Sequence, residues 1–227
     1  MRCALFPALL ILGSCSGGAE KRVLHYGNGQ VWSEIRLRDG EPEGHWRTWY
    51  ENGQSKSEGD YVDGERDGHW TTWWENGQKE SEGRFAHGRQ VGPWTYWFAS
   101  GQTASRGRFE NGVVAGEWID WYGDGKRRSE VTYHDGLPDL VVRTFHKNGA
   151  LAHEYTYDKG VLDGPYREFR EDGSELVMGE YLQGKRTGLW MLFRPDGSVN
   201  DKLSGYFEND QPVRPLEPAP PAPPATQ

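Results

Sequence analysis

The chain has 227 residues, of which 31 are glycine and 11 tryptophan, with an apolar fraction of 35% and a formal net charge of −8. The negative charge and the lack of a Lys/Arg-rich segment argue against nucleic acid or an anionic membrane surface as a partner. Such a composition predicts a fold of turns and aromatic contacts without a large closed core.

The N-terminal residues have the pattern of a bacterial lipoprotein signal. Arg2 precedes an apolar stretch from Cys3 to Leu12, which is too short to span a bilayer because about 20 residues are needed. Residues 12–15 (LGSC) resemble the lipobox, in which small residues precede an invariant cysteine. We therefore expect a signal peptide over residues 1–14, lipidation of Cys15 and a linker over residues 15–24. The alternative is an ordinary secretion signal with a chance cysteine.

The resemblance to lipoproteins implies a diacylglycerol group on Cys15 together with an N-acyl chain, and two or more chains make a durable anchor. Ser16 follows the cysteine, where an Asp would retain a lipoprotein at the inner membrane. The sequence therefore predicts a bacterial cell-envelope protein that meets the membrane only through its N-terminal lipid, with the outer membrane favoured where one exists.

Glycines then recur with a 24-residue period, and residues 44–67 superpose on residues 68–91 without a gap. One series is Gly29, Gly53, Gly77, Gly101, Gly125, Gly149, Gly173 and Gly197, and the other is Gly40, Gly64, Gly88, Gly112, Gly136, Gly160 and Gly184. Small repeated units cannot bury their own apolar faces, so they stack. The pattern predicts an all-β fold over residues 25–210: an elongated, twisted antiparallel β-meander of 24-residue hairpins with about fourteen to sixteen strands.

Asn52-Gly53 and its equivalents indicate two-residue hairpin turns with positive φ angles. Counting outward from such a turn gives the following pairs: Gly44 with Tyr61, Trp46 with Gly59, Trp70 with Gly83, Trp94 with Gly107, Trp118 with Val131, Val142 with Tyr155, Tyr166 with Gly179, and Trp190 with Leu203. Most pairs set a large residue opposite a small one, and in the unit of Val142 the large residue is on the other strand. We expect each ring to lie over a partner glycine.

Two aromatic columns follow from the same spacing. The first is Trp46, Trp70, Trp94, Trp118, Val142, Tyr166 and Trp190. The second, which we call the ladder, is Trp49, Trp73, Trp97, Trp121, Phe145, Phe169 and Phe193. Their separation of three residues places them on opposite faces of the sheet. The first column is surrounded by small and aromatic residues and the ladder by charged ones, which predicts a packed face and a solvated face.

The C-terminal residues 211–227 (QPVRPLEPAPPAPPATQ) are rich in proline and alanine, and we expect them to form a disordered tail.

The repeat reads G-x-W-x-x-W/F-x-x-N/D-G, followed by S-E-G-x-Y/F-x-D/N-G, and residues 44–64 carry it almost fully. This frame resembles the MORN-variant repeat, a hairpin unit found in bacterial YwqK-family antitoxin proteins. The resemblance covers roughly Asn28 to Phe207 and departs at residues 140–142 (LVV), where G-x-W is expected. It implies an elongated antiparallel sheet and, for some members, neutralisation of a partner toxin.

We expect a non-enzymatic, lipid-anchored scaffold that grips a protein partner with the ladder. The alternative for the ladder is burial, because exposed aromatic stripes are a liability. No nucleophile stands out, since Ser57, Ser81, Ser105 and Ser129 are in phase and are typical of small strand residues. No cofactor or metal is expected, because both cysteines precede residue 16 and the slot of His45 and His69 holds other residue types elsewhere.

Two further functions remain open. The first is that of an antitoxin or immunity protein whose acidic surface shields a basic toxin. Glycan or choline binding is the other, because choline-binding cell-wall repeats also combine aromatic residues with glycine hairpins.

Overall fold

The computed structural model describes residues 18–216, and its regular secondary structure consists of eighteen β-strands. The first nine are β1 Glu20–His25, β2 Val31–Arg38, β3 Glu41–Pro42, β4 Gly44–Trp49, β5 Ser55–Val62, β6 Glu65–Trp73, β7 Lys79–Ala86, β8 Arg89–Trp97 and β9 Thr103–Glu110. The last nine are β10 Val113–Trp121, β11 Arg127–His134, β12 Leu137–Phe145, β13 Leu151–Asp158, β14 Val161–Phe169, β15 Glu175–Leu182, β16 Lys185–Leu192, β17 Gly205–Glu208 and β18 Gln211–Pro215.

All strand pairs are antiparallel, and all except β2 with β4 join consecutive strands of the chain. β2 pairs with β1, with the short β3 and with β4, and from β4 onward each strand pairs with the next as far as β18. The result is a single open sheet with β1 and β18 at its edges. The predicted all-β meander of hairpins is therefore confirmed, although over residues 18–216 it has eighteen strands and not the expected fourteen to sixteen.

The array extends beyond its predicted bounds at both ends. β1 occupies residues assigned to the linker, and β18 occupies the start of the predicted tail, where Phe207 faces Pro212 and Gly205 faces Pro215. Proline is tolerated here because an edge strand needs hydrogen-bond donors on one side only. The prediction that residues 211–215 cannot pair was wrong, while residues 217–227 lie outside the described part of the chain.

The Asn-Gly and Asp-Gly turns differ from the predicted two-residue loop. Gly53 N–H donates to the Tyr50 carbonyl at 2.9 Å, and Tyr50 N–H donates to the Gln54 carbonyl at 2.8 Å. Gly53 has φ of 85°, whereas Asn52 has no positive φ. This geometry is a type I turn followed by a left-handed glycine. The register shifts next to the turn, and beyond that shift Thr48 faces Ser57 as the count predicts.

The other turn of each unit is the two-residue type. Asp63 and Gly64 have φ of 50° and 78°, and Val62 faces Glu65 across the turn. Positive φ at both central residues is the mark of a type I′ turn, whose twist matches that of the strands. Successive turns along the chain therefore alternate between these two geometries.

The predicted cross-strand register is confirmed in seven of the eight pairs. Trp46 faces Gly59, and the pairs of Gly44, Trp70, Trp94, Trp118, Val142 and Tyr166 also agree. The pair of Trp190 with Leu203 was wrong, because Trp190 faces Gly205. The additional residues of the slipped last unit are taken up between β16 and β17, so the strand pairing is maintained.

The ring that covers each glycine comes from the following strand and not from the paired residue. Across β5 and β6, Glu58 faces Thr71 and Asp60 faces Asp67, so β6 carries two more residues than β5. This bulge brings the indole of Trp70 against Gly59, where an added Cβ would lie 2.3 Å from Trp70 Cδ2. The same contact, eleven residues apart, recurs for Trp94 on Gly83, Trp118 on Gly107 and Trp190 on Gly179, at 2.2, 1.8 and 2.3 Å.

These rings contact other aromatic rings along the first face. The centroids of Trp70 and Phe85 lie 5.8 Å apart, those of Phe85 and Trp94 5.1 Å, and those of Phe109 and Trp118 5.3 Å, all edge to face. Edge-to-face pairs add about 0.5–1.5 kcal/mol each beyond area burial. Trp70 is 2% exposed, Trp94 4% and Trp190 5%. The first column is therefore the core, as predicted.

Candidate functional site

The ladder lies on the charged face of the sheet, with each ring at the end of a strand next to an Asn-Gly-type turn. Its members are half-buried, except Phe169, which is buried at 9% exposure. Consecutive members are two strands apart, about 10 Å. The structure therefore places the predicted residues in one column, as partly exposed ring edges and not as fully exposed rings.

Cationic side chains accompany several ladder rings. Lys79 Nζ lies 5.7 Å from the centroid of Trp97, and the Arg106 guanidinium lies 6.0 Å from that of Trp121. Between Trp97 and Trp121 there is a shallow depression of about 380 Å³, to which Thr95, Gln102, Thr103, Arg106 and Gly125 also contribute. Aromatic walls beside a cation and neutral hydrogen-bonding groups form a surface that suits a polar, partly planar ligand group.

Histidine and lysine side chains contact the carboxylates of the same face in the first units. His45 lies 3.2 Å from Glu58 and 3.0 Å from Asp60, and His69 lies 3.0 Å from Glu82. A hydrogen bond from Lys79, and to a lesser degree His69, lowers the pKa of Glu82 below its ordinary value. Exposed pairs of this kind contribute little to stability. Within residues 18–216, no group of three or more His, Cys, Asp or Glu side chains is placed to hold a metal ion.

A column that the sequence analysis missed lies directly before each Asn-Gly-type turn. Its members are Tyr26, Tyr50, Trp74, Phe98, Tyr122, His146, Arg170 and Arg194. Tyr50 Oη donates to the Trp73 carbonyl at 2.7 Å, and Trp74 Nε1 donates to the Trp97 carbonyl at 2.9 Å. The acceptors are ladder residues, so this column fixes the ladder backbone to the preceding unit. The recurrence of polar-tipped side chains with the 24-residue period was the available signal.

The in-phase serines hydrogen-bond to strand neighbours. Ser57 and Thr48 hydroxyls lie 2.5 Å apart, and Ser105 and Ser129 donate to the Asp120 carboxylate at 2.5 and 2.7 Å. Burial alone would raise the pKa of Asp120, but these hydrogen bonds and one from Arg128 outweigh it and lower the pKa. Asp120 is thus an ionised group on the packed face that joins three strands, and the sequence analysis did not identify it.

Cys15, the predicted lipidation site, lies outside the described residues. Among residues 18–216, no helix is long and apolar enough to cross a membrane.

Comparison with protein families identifies the repeats. The MORN repeat variant matches residues 42–63, 66–87 and 115–135. Each match spans hairpin strands joined by the turns described above, so these three segments are similar to the MORN-variant repeat. No curated protein matches the chain.

Two solved structures show remote similarity. The crystal structure of TcdB2-TccC3-Cdc42 matches 80% of this chain at 9% identity with a TM-score of 0.21, and that of TcdB2-TccC3 matches 81% at 12% identity with a TM-score of 0.17. This chain spans only 11% and 14% of the length of those chains. Similarity at this level establishes neither a shared fold nor a shared function.

Proposed function

We propose that this array of MORN-variant repeats is a non-enzymatic, lipid-anchored scaffold of the bacterial cell envelope that binds a protein partner through the ladder. The observation that carries the proposal is the depression between Trp97 and Trp121, in which aromatic walls meet Arg106 on an otherwise ion-paired face. MORN-variant repeats are consistent with a binding role. Binding is also favoured over catalysis because nearly every polar residue recurs as a member of a column, whereas an active site needs one unrepeated set of groups.

The double variant Trp97→Ala/Trp121→Ala tests the ladder. Each ring is half-buried, so we expect a moderate loss of stability and a loss of partner recovery when the anchored protein is purified from its own cells. A second double variant, Phe145→Ala/Phe193→Ala, removes two half-buried ladder rings away from the depression and tests whether the binding surface extends along the ladder. If both double variants lose stability equally and recover the same proteins as the wild type, the ladder belongs to the fold alone.

The lipid anchor is tested separately at Cys15. Replacement Cys15→Ser removes the thiol that would carry the diacylglycerol, and we expect the protein to leave the membrane fraction. Retention of Cys15→Ser with the membranes would refute anchoring through this residue.

The net charge of −8 favours a second candidate, an antitoxin or immunity protein that neutralises a basic toxin at the envelope. Co-expression with the product of an adjacent toxin-like reading frame tests it. Protection from that product by the wild type, sensitive to salt in vitro, supports this role, whereas unchanged toxicity in its presence rejects it.

A further inference from the structure

One slot of the repeat changes its chemistry in the middle of the array. The slot is the first residue after each type I′ turn, and it holds Glu41, Glu65, Arg89, Val113, Leu137, Val161 and Lys185 in successive units. All seven residues are exposed. The fold accepts charged residues at this position in four units, so the three consecutive aliphatic residues are not required for folding.

The slot has the same geometry whatever residue fills it. An added Cβ at Gly88 would lie 3.7 Å from the Glu65 side chain, and one at Gly160 would lie 3.2 Å from Leu137 Cδ2. Each slot residue therefore lies along the turn glycine of the next unit. In the middle units this arrangement aligns Val113, Leu137 and Val161, which are 45%, 48% and 42% exposed, and Leu182, 58% exposed, lies at the end of β15 just before the next type I′ turn. We call these four residues the turn-edge stripe.

A second deviation occurs in the same place. Leu140 has φ of 61° and is 60% exposed, in a slot that holds glycine in six other units: Gly44, Gly68, Gly92, Gly116, Gly164 and Gly188. A residue with a Cβ is strained by about 1–2 kcal/mol in the left-handed region. Leu140 is thus strained and solvated at once, and its neighbour Val141 is 37% exposed. Strain combined with exposure indicates a side chain kept for an interaction.

Acidic groups border the stripe. The segments 110–115, 134–139 and 158–163, which flank three type I′ turns, contain five carboxylates and one lysine. Among them, Asp135 has 95% of its side chain accessible. A depression of about 490 Å³ beside Val113 is lined by Glu110, Tyr133 and Asp135 among others. A partner here therefore combines apolar residues with basic ones.

The spacing of the stripe selects the conformation of that partner. Val113, Leu137 and Val161 follow one another every second strand, about 10 Å apart. An α-helix presents the same face every seven residues, about 10.5 Å. A β-strand advances about 10 Å in three residues and then presents the opposite face. Polyproline II segments dock on aromatic-lined grooves, whereas this stripe is aliphatic.

We propose that the turn-edge stripe is a docking surface for a basic amphipathic helix of a partner protein, with apolar residues repeated every seven positions. The proposal rests on the proposed binding role of the array, but it assigns a different surface from the ladder. Leu137 is the central contact, and Leu140 is a second exposed aliphatic residue of β12.

The probe is a synthetic 21-residue helical peptide, about three heptads long, with leucines along one face and lysines on the flanks. Its binding to the full chain is measured by fluorescence anisotropy at low and high salt. The first control peptide has the same composition with the leucines distributed around the helix. The second is a lysine-containing polyproline peptide. We expect only the amphipathic helix to bind, and more weakly at high salt.

Two variants locate the site. Leu137→Glu introduces the residue that two other units hold in this slot, so it leaves the fold intact, and we expect binding to weaken about tenfold or more. Glu65→Val places an aliphatic residue in the same slot outside the stripe, and affinity stays within about twofold of the wild type. Leu140→Gly relieves strain, raising the Tm by about 2–4 °C while weakening binding.

Four results of the peptide-binding measurements would overturn the proposal: absence of binding by the amphipathic peptide, equal binding by the redistributed one, unchanged affinity of Leu137→Glu, or preference for the polyproline peptide. A concentration-dependent dimer that Leu137→Glu abolishes assigns the stripe to a second copy and rejects the helix. The ladder variant Trp97→Ala/Trp121→Ala separates the two surfaces. If it still binds the peptide but recovers no cellular partner, the ladder and the stripe act independently, and failure of one leaves the other standing.

Discussion

The units between Gly44 and Trp121 and the unit between Leu137 and Gly160 fill the same space in different ways. In the former, Trp94 covers Gly83; in the latter, Val142 occupies the position of the ring, and Val131 on the preceding strand β11 occupies that of the glycine. Trp94 and Val142 are equally buried, at 4% exposure. A tryptophan over a glycine and a pair of valines therefore exclude solvent from this position equally well. The combined side-chain volume is fixed for two residues eleven apart in sequence, and not for the two residues that face each other across the hydrogen-bonded strands.

The next unit uses a third solution. Tyr166 lies eleven residues after Tyr155, and the two rings stack with centroids 6.0 Å apart at an interplanar angle of 19°. Within the described residues, no ring contact joins Trp118 to this second aromatic group, which continues through Tyr181 to Trp190. The middle of the array is therefore packed by aliphatic residues between two aromatic runs. The same region carries the turn-edge stripe.

The largest effect is expected from Gly83→Ala. The added Cβ would lie 2.2 Å from Trp94 Cδ2, and the ring is confined by Phe85 and Phe109. We expect a loss of about 3 kcal/mol in the free energy of unfolding, measured by urea denaturation. Gly123→Ala is the control, because a Cβ there meets no atom within 4 Å. Equal effects of the two substitutions would show that ring contact is not the cause.

A second test introduces the tryptophan-over-glycine packing into the middle unit. Val142→Trp places a ring over Val131, and we expect a loss of about 2 kcal/mol. Adding Val131→Gly provides the bare backbone and recovers at least about 1 kcal/mol in a double-mutant cycle. Tyr155→Gly, at the hydrogen-bonded partner of residue 142, gives no such recovery. If only Tyr155→Gly restored the stability lost in Val142→Trp, the fixed volume would belong to the cross-strand pair of residues 142 and 155.

A smaller effect is expected at Asp120, at the end of the first aromatic run. Asp120→Asn weakens the hydrogen bonds from Ser105 and Ser129 and removes the ion pair with Arg128. We expect a loss of about 1–2 kcal/mol at pH 7 in urea denaturation.

The pH dependence of this loss follows from the pKa. The folded-state pKa of Asp120 is below its ordinary value of 3.8, so its stabilisation is fully present above about pH 4 and disappears as the pH falls through the folded-state pKa. The difference between wild type and Asp120→Asn is therefore constant from about pH 5 to 7 and shrinks below about pH 4. Asp135→Asn, with 95% of the Asp135 side chain exposed, is the control. A difference that persists undiminished in acid would rule out this account of the pKa.

The smallest effect is expected at the turns, which both regions share. Asn52 Nδ2 donates to the Glu75 carbonyl at 2.9 Å and Asn52 Oδ1 accepts from Gln54 N–H at 3.0 Å. Asn52→Ala removes both exposed bonds, and we expect a loss of about 0.5–1 kcal/mol in thermal denaturation. Asn148→Ala removes the equivalent bonds in the aliphatic region. Similar losses at the two sites would confirm that the turns stabilise all units alike.

The sequence predicted the hairpin repeat, the two columns and most of the register, because side-chain alternation and the 24-residue period are properties of the chain itself. Thr48 faces Ser57 as counted even though the turn type at Asn52 was wrong, since a register shift beside the turn takes up the difference. The volume match of Val142 was assigned to Tyr155, its hydrogen-bonded partner. That interpretation failed because the bulge at Gly68 and its equivalents, which shifts each ring onto the preceding strand, appears only in the backbone geometry.

The ladder was predicted as a column but not in its degree of exposure. Trp97 and Phe169 have equivalent positions, yet only Phe169 is fully buried. Arg167 lies over the Phe169 ring at 4.9 Å from its centroid, whereas the cation of Trp97 is Lys79 at 5.7 Å. These neighbours come from different slots of the repeat, so the period alone does not determine them. The turn-edge stripe could not be predicted from the period either, because it arises where equivalent positions of different units hold different residue types.

The most direct test of the central claim, that each ring stabilises the array by resting on the glycine eleven residues before it, is the cost of Gly83→Ala measured by urea denaturation in two backgrounds. In the wild type we expect a loss of about 3 kcal/mol. In the Trp94→Ala background the ring is gone, the new Cβ meets no obstacle, and we expect a further loss below about 0.5 kcal/mol. An equal loss in both backgrounds would contradict the account.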